Sequence, residues 1–230
     1  IQVLQQAIGY DDAELEIALG NALNEVLITQ LDDNLYWATS SYQQMVTQML
    51  TEIAIYHQEN PLRLGILRAE LQSRLGIKLN LLDLLLERTE QIVVEHNFVR
   101  FVNHEIIFTD QQQKNIDVVL SKMAEQTYSP PAIADLNQIA GESVIRALID
   151  LKELVNINED IVFTQISYQT IVETVLKYID KHGSIDAKSL RDQFNTSRKY
   201  AIAILEHLDS LGITQRIGDV RKRGRNAPAS

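Results

Sequence analysis

The fold of this 230-residue chain is decided by the stretch Asn195-Thr-Ser-Arg-Lys-Tyr-Ala-Ile-Ala-Ile-Leu-Glu-His-Leu-Asp-Ser-Leu-Gly212. Its apolar residues recur at steps of three and four, which predicts one helix from about Ser197 to Leu211 with a single buried face. A hydroxyl of Thr196 or Ser197 is expected to cap this helix by accepting a first-turn N–H. Gly212 is expected to end it, because glycine adopts the left-handed conformation most easily.

The helix is followed by Ile213-Thr-Gln-Arg-Ile-Gly-Asp-Val-Arg-Lys-Arg223, in which apolar and polar residues alternate. This period of two predicts strands, and Gly218-Asp219 suits the turn of a two-residue hairpin. Such a turn would place Arg216 directly opposite Arg221. The sequence therefore predicts a helix that leads into a small antiparallel hairpin.

Basic side chains surround both elements. Arg198 and Lys199 lie in the first helical turn, where the helix dipole is already positive and favours acidic residues. Arg216 and Arg221 would face each other, with Arg223 on the same face, and like charges in that arrangement repel. A bound anion would remove both conflicts, so the helix start and the hairpin together predict a phosphate-binding surface.

Composition excludes several classes of protein. The chain has no cysteine, so it has neither disulfides nor a thiolate metal site. No apolar run approaches the roughly 18 residues of a membrane helix and no signal peptide is present, so we expect a soluble, cytoplasmic protein with no membrane partner. The five histidines lack metal-ligand spacing, so we expect no metal site. The first residue is Ile1 rather than methionine, which suggests a fragment of a longer protein.

The net charge of −10 is distributed unevenly. Residues 166–230 hold 11 Lys+Arg against 7 Asp+Glu, whereas residues 1–165 hold 10 Lys+Arg against 24 Asp+Glu. An acidic body repels phosphate, so a polyanion should bind through the basic end of the chain.

One order of elements recurs along the chain, namely helices followed by a hairpin, over units of roughly sixty residues. The predicted helices are 13–23, 42–58, 65–75, 79–86, 110–126, a short helix between Ser129-Pro-Pro131 and residue 139, 142–154, 168–181, 186–194 and 197–211. The predicted strands before the last hairpin are 25–31, 35–37, 92–94, 98–102, 106–108 and 155–163.

Three helices followed by a two-stranded hairpin form a winged helix. The predicted fold class is therefore mostly α with small β-hairpins (α+β), built from tandem winged-helix domains. We predict four of them, at 1–40 (short, without its opening helix), 41–109, 110–165 and 166–230. A module of this size buries only about 60% of its unfolded surface, so we expect the modules to pack on their neighbours in an elongated array.

The motifs of the last module resemble one protein family. They are Gly183-Ser-Ile-Asp, Leu190-Arg-Asp-Gln-Phe, Thr196-Ser-Arg-Lys-Tyr-Ala and Leu211-Gly-Ile-Thr-Gln-Arg-Ile-Gly-Asp. They are similar to the C-terminal end of bacterial selenocysteine-specific translation elongation factors, and Asn60-Pro-Leu-Arg-Leu-Gly65 is similar to the second winged helix of that family. The resemblance is dense over 166–223 and good over 42–109, and elsewhere it depends on the order and length of the elements.

The resemblance implies a function. In this family a GTPase body carries selenocysteyl-tRNA to the ribosome at a UGA codon, and the last winged helix binds an mRNA hairpin, the selenocysteine insertion element. The RNA contacts carried over by position are Thr196, Ser197, Arg198, Lys199, Arg216 and Arg221, with Arg191 and Tyr200 as further candidates, and the charge pattern adds Lys222 and Arg223. The sequence departs from the family at Asn195, where glycine is expected, and in its more basic run 222–225.

Enzyme signatures are missing from the chain. It has no Gly-rich phosphate loop, no nucleophile elbow and no dinucleotide-binding motif, so we predict no catalytic residue and no cofactor in this fragment. GTP and Mg²⁺ would bind in the missing N-terminal part, and a monomer is expected. Two alternatives remain open. One is a DNA-binding winged-helix regulator, and the other is a tandem winged-helix scaffold for protein interactions.

Overall fold

The computed structural model describes residue 9 and residues 11–228. They belong to two compact units, 1–105 and 106–230. None of the helices formed by the described residues combines the length and the apolar character that crossing a bilayer requires.

The described residues of the first unit form four helices and five short strands. Its elements are α1 (Asp12–Asn24), β1 (Ile28–Asp32), β2 (Leu35–Ala38), α2 (Thr39–Glu59), β3 (Ile66–Leu67), α3 (Arg68–Leu75), α4 (Leu79–Glu87), β4 (Ile92–Glu95) and β5 (Phe98–Phe101). We refer to α2 through β5 as the second domain. Its core lies between these helices and the sheet, with Met49, Ile53 and Val99 fully buried and Trp37 of the preceding hairpin packed against it.

The sheet of the second domain has three strands in the order β3-β5-β4. The prediction of a helix from Gly65 onward is wrong at its start, because Ile66 pairs with Val99 and only Arg68 begins the helix. Gly65 allows this pairing, since a Cβ there would overlap the carbonyl of Val99. The predicted strand 106–108 is also absent, and that segment has no regular structure.

The second unit repeats the arrangement twice. Its elements are α5 (Asp110–Glu125), α6 (Ile133–Ala140), α7 (Glu142–Asp150), β6 (Leu154–Asn156), β7 (Val162–Thr164), α8 (Gln165–His182), β8 (Ile185–Asp186), α9 (Ala187–Phe194), α10 (Arg198–Ser210), β9 (Thr214–Ile217) and β10 (Val220–Arg223). We refer to α5 through β7 as the third domain and to α8 through β10 as the last domain.

These domains differ locally from the prediction. Helix α7 ends at Asp150 rather than near residue 154, because Lys152 has a positive φ of 62° and Leu154 already belongs to β6. The predicted tandem winged-helix class is confirmed. The placement of the four domain boundaries stays a prediction.

The last domain has a three-stranded sheet in the order β8-β10-β9. The predicted hairpin register is confirmed, with Arg216 opposite Arg221 and Gly218 in the turn at φ 63°. The predicted cap of α10 is wrong: Ser197 is the N-cap residue, but its side chain accepts no hydrogen bond, and the hydroxyl of Thr196 is directed elsewhere. One apolar core includes Phe163 of the third domain together with Val175, Leu190 and Leu205 of the last.

Candidate nucleic-acid interface

A groove in the last domain brings five cations together. It lies between α9, α10 and the β9–β10 hairpin and has a volume of about 380 Å³. We call it the basic groove. Its lining residues are Asp186, Ala187, Lys188, Arg191, Arg198, Ile202, Glu206, Arg216, Asp219 and Arg221.

The N-terminal turn of α10 forms one side of the basic groove. Arg198 is exposed there, and within the described part of the chain it makes no ion pair. Because no side chain caps α10, the first-turn N–H groups also lack a side-chain acceptor. Amides and a guanidinium at a positive helix end form a favourable site for a phosphate group.

The hairpin contributes two arginines that differ in exposure and in hydrogen-bond partner. Arg216 is exposed, and its Nε donates to the Gly218 carbonyl at 3.0 Å. Arg221 is only 6% exposed, and its Nε donates to Asp209 Oδ2 at 3.2 Å. The other oxygen of Asp209 accepts the Thr214 hydroxyl at 2.6 Å. Asp209 therefore joins the hairpin to α10 and offsets the repulsion expected between the two opposed arginines.

Helix α9 supplies the third side. Arg191 is exposed, and its Nη2 lies 2.6 Å from Asp192 Oδ1. Lys188 is also exposed and lines the groove, and the sequence analysis missed it. The signal was present, since residues three apart on a helix are neighbours on its surface and Lys188 precedes Arg191 by one turn.

Three carboxylates accompany the cations, at Asp186, Glu206 and Asp219. Asp186 caps α9 by accepting the Ser189 N–H at 2.7 Å. Hydrogen bonds from the Ser189 side chain and backbone lower the pKa of Asp186, so it is ionised at neutral pH. The lining holds five cations and three carboxylates, and two of the cations, Arg191 and Arg221, are paired with Asp192 and Asp209.

Two predicted contact residues are turned away from the groove. Thr196 is 8% exposed, and its hydroxyl donates to the Tyr128 carbonyl at 2.5 Å. The Tyr200 hydroxyl donates to the Pro130 carbonyl at 2.6 Å. Both hydroxyls are engaged with the third domain, and RNA contact by Thr196 and Tyr200 stays a prediction.

Ser197 and Lys199 remain accessible at the helix start. Lys199 Nζ lies 3.2 Å from Asp160 Oδ2, but both side chains are more than half exposed. Such a pair contributes little and exchanges readily for another anion. RNA contact by Ser197 and Lys199 stays a prediction.

The end of the hairpin lies apart from the basic groove. Arg223 Nη1 contacts both carboxylate oxygens of Asp180 on α8, at 2.7 and 2.6 Å, and its Nη2 donates to the Pro228 carbonyl. Arg223 lines a different cavity beside α8, and RNA contact by Arg223 stays a prediction. Lys222 is exposed, and its role stays a prediction. The described residues contain no group of three or more potential metal ligands.

Comparison with known proteins identifies two segments. Models described as "Elongation factor SelB, winged helix" match residues 177–223, as the third such domain, and residues 50–101, as the second. The selenocysteine-specific elongation factor of Desulfomicrobium baculatum is 25% identical over 202 residues, which are 83% of this chain and 32% of the relative. That of Haemophilus influenzae is 22% identical over 188 residues, which are 77% of this chain and 30% of the relative.

Two solved structures are similar in part. The mRNA-binding domain of elongation factor SelB from E. coli in complex with SECIS RNA has a TM-score of 0.41 at 23% identity, covering 51% of this chain and 99% of that one. The bacterial selenocysteine-specific elongation factor EF-Sec has a TM-score of 0.49 at 15% identity, covering 86% of this chain and 32% of that one.

The sequence matches agree with the family that the motifs of the last domain indicated. This chain spans about a third of the length of the two elongation factors. Residues 50–101 and 177–223 are therefore winged-helix domains of the elongation factor SelB family.

Proposed function

We propose that this chain is the mRNA-binding region of a selenocysteine-specific elongation factor, and that its last domain binds the mRNA hairpin that directs selenocysteine insertion at UGA. The observation that carries the proposal is the basic groove, where cations from α9, α10 and the hairpin converge within one small volume. The names of the two relatives and the SelB match over 177–223 support the choice of ligand.

The shape of the groove favours a folded RNA loop over a straight duplex. Along the exposed face of α10 the single cation Arg198 is followed by Ile202 and Glu206. A helix that reads a DNA major groove needs polar and basic side chains along several turns. Proteins recognise RNA hairpins chiefly at loops and unpaired bases, where the backbone bends sharply, and a compact cluster of cations fits such a bend.

The rest of the proposal concerns the full-length factor. A GTPase body elsewhere in the protein would bind GTP and Mg²⁺ and carry selenocysteyl-tRNA to the ribosome. The chain described above would act as a monomeric binding region without its own cofactor or catalytic residue, tethering that body to the message in the cytoplasm. Support comes from the relatives, which are selenocysteine-specific elongation factors.

Fluorescence anisotropy on the 230-residue chain tests the RNA proposal. The ligands are the RNA hairpin that follows UGA in a bacterial selenoprotein mRNA, the same stem with a scrambled loop, and a DNA duplex. We expect the native hairpin to bind at least tenfold more tightly than either control. Arg198→Ala and Arg216→Ala should each weaken binding about tenfold and reduce the salt dependence by about one released ion, as loss of one phosphate contact does.

Arg100→Ala in the second domain serves as the matched control, because Arg100 also lies on a sheet strand but outside the basic groove. Equal binding of all three ligands would reduce the groove to a general polyanion site. Preference for the duplex would support the DNA-binding alternative instead.

A further inference from the structure

The third domain holds the residues on both sides of Arg198. The segment 128–130, which connects α5 to α6, contacts the first turn of α10 at Tyr200 and, two residues before the helix, Thr196. The Thr196 hydroxyl donates to the Tyr128 carbonyl at 2.5 Å, and the Tyr200 hydroxyl donates to the Pro130 carbonyl at 2.6 Å. Both acceptors are backbone carbonyls, so these contacts depend on the path of the segment.

A third hydroxyl completes the network. Ser129 Oγ lies 2.9 Å from Thr196 Oγ1. The Thr196 proton is already directed to the Tyr128 carbonyl, so Ser129 must be the donor in this pair. Thr196 is 8% exposed. A buried hydroxyl with both a donor and an acceptor partner fixes its own rotamer and the backbone that carries it.

Ring contacts hold the turn before α10 from the same side. The Tyr128 ring lies 4.7 Å from the ring of Phe194, the last residue of α9, and the Tyr200 ring lies edge-on to Phe163 at 6.4 Å. Between these contacts the chain turns at Asn195, whose φ is 48°. Helix α10 therefore starts at a point that is fixed both before and after the turn.

Arg198 lies between the two anchored residues in sequence and points into the basic groove. We propose that Thr196 and Tyr200 are positioning residues for RNA binding: their bonds to segment 128–130 hold the first turn of α10 so that Arg198 faces the RNA phosphates. This inference rests on the proposed function. It assigns to a segment about seventy residues upstream an effect on the affinity of the groove.

A loose first turn would have to be ordered when RNA binds, and ordering lowers affinity. Binding of the RNA hairpin by the 230-residue chain is the measurement, with Tyr200→Phe, Thr196→Val and Thr196→Ser as variants. Tyr200→Phe and Thr196→Val should each weaken binding about threefold to tenfold. Thr196→Ser keeps the hydroxyl and should bind within about twofold of the parent.

Tyr168→Phe is the matched control. Its hydroxyl is buried and has no hydrogen-bond partner among the described residues, and its ring lies outside the basic groove. Removing it deletes the same atom from the same residue type without breaking a bond, so RNA affinity should not change. Circular dichroism on every variant establishes that the last domain is folded.

Combination with Arg198→Ala separates positioning from direct contact. If the hydroxyls act through Arg198, Tyr200→Phe and Thr196→Val should cost less than about twofold when Arg198 is already alanine. Equal losses in both backgrounds would overturn the inference, because they would indicate an independent contact with RNA. Full affinity of Tyr200→Phe and Thr196→Val in the parent would overturn it as well.

Failure of the proposed function gives a different result. In that case Arg198→Ala and Arg216→Ala would leave hairpin binding unchanged, whatever Tyr200→Phe does. If Tyr200→Phe does not fold, the Thr196→Val and Thr196→Ser pair carries the same test, since serine keeps the hydroxyl that valine removes.

Discussion

The sheets of the second and last domains have the same strand order and register but different residue types at matching positions. Ile66 of β3 pairs with Val99 in one sheet, and Ile185 of β8 pairs with Arg221 in the other. Val99 in turn lies opposite Val94, as Arg221 lies opposite Arg216. Two apolar residues of one hairpin thus correspond to two arginines of the other.

Burial follows the register even though the chemistry changes. Val99 is 0% and Arg221 6% exposed, whereas Val94 is 45% exposed and Arg216 is exposed as well. Directly opposed residues share one face of a sheet, so the difference follows strand position: Val99 and Arg221 lie on central strands, and Val94 and Arg216 on edge strands. A buried arginine requires a partner that a valine does not, and Asp209 meets that need. The shared fold sets the position of each side chain, and the residue at that position sets its charge.

The contact between the first helix and the hairpin shows the same exchange. In the second domain, His57 near the end of α2 accepts the Phe101 N–H at 3.4 Å. In the last domain, Asp180 near the end of α8 binds Arg223, and Arg223 occupies the strand position that corresponds to Phe101. A neutral ring contact in one domain is replaced by an ion pair in the other.

The largest expected effect concerns how closely the first strand approaches the sheet. Gly65→Ala should lower the free energy of unfolding of the first unit by about 2–3 kcal/mol, because its Cβ would overlap the Val99 carbonyl and the backbone must shift. Urea titration followed by Trp37, the only tryptophan, reports on this unit. Ser184→Ala, at the corresponding position before β8, should change stability by less than about 0.5 kcal/mol. Equal losses would contradict the difference between the two sheets.

A smaller effect is expected when the buried occupant is exchanged. Arg221→Val installs the residue type of position 99 but leaves Asp209 without its guanidinium, and should destabilise the last domain by about 2 kcal/mol. Arg221→Val combined with Asp209→Asn should recover about half of that loss, because no unpaired charge remains. Calorimetry measures both variants. If Arg221→Val alone leaves stability unchanged, the charge of Asp209 does not need Arg221 as its partner.

The smallest effect depends on pH. Burial, with His104 and Arg100 nearby, lowers the pKa of His57 to about 4 from an ordinary 6.5. Between these values the unfolded chain binds more protons than the folded one, so stability of the first unit should fall as the pH drops from about 6.5 to 4. In His57→Gln this part of the loss should disappear, as followed by Trp37 fluorescence during thermal unfolding. Identical pH profiles of parent and variant would exclude His57 as the cause.

The sequence predicts most of what local patterns encode. The register of the last hairpin follows from Gly218-Asp219. The charge pattern and the family resemblance predict one cationic cluster of Arg191, Arg198, Arg216 and Arg221, and all four line the basic groove. These features depend on residues close together in the chain, where periodicity and turn chemistry are informative.

Other features depend on partners far along the chain. Strands β3 and β8 have two residues each, too few to show alternation, and Ile66 was predicted as helical because nothing local reveals its pairing with Val99. The ion pair of Arg223 with Asp180, 43 residues earlier, has no local signal in the sequence either. Thr196 was predicted as a helix cap, but its hydroxyl donates to the Tyr128 carbonyl, 68 residues earlier in the chain. Tertiary contacts override local preference at these positions.

The junction of the third and last domains has a mechanical consequence. Thr164 is the final residue of β7 and also the N-cap of α8, its hydroxyl accepting the Ser167 N–H at 3.2 Å. A domain on a flexible linker can explore a volume that grows with the number of linker residues. No linker residue separates β7 of the third domain from α8 of the last domain. A ligand bound to the last domain is therefore held in a fixed orientation relative to the third domain.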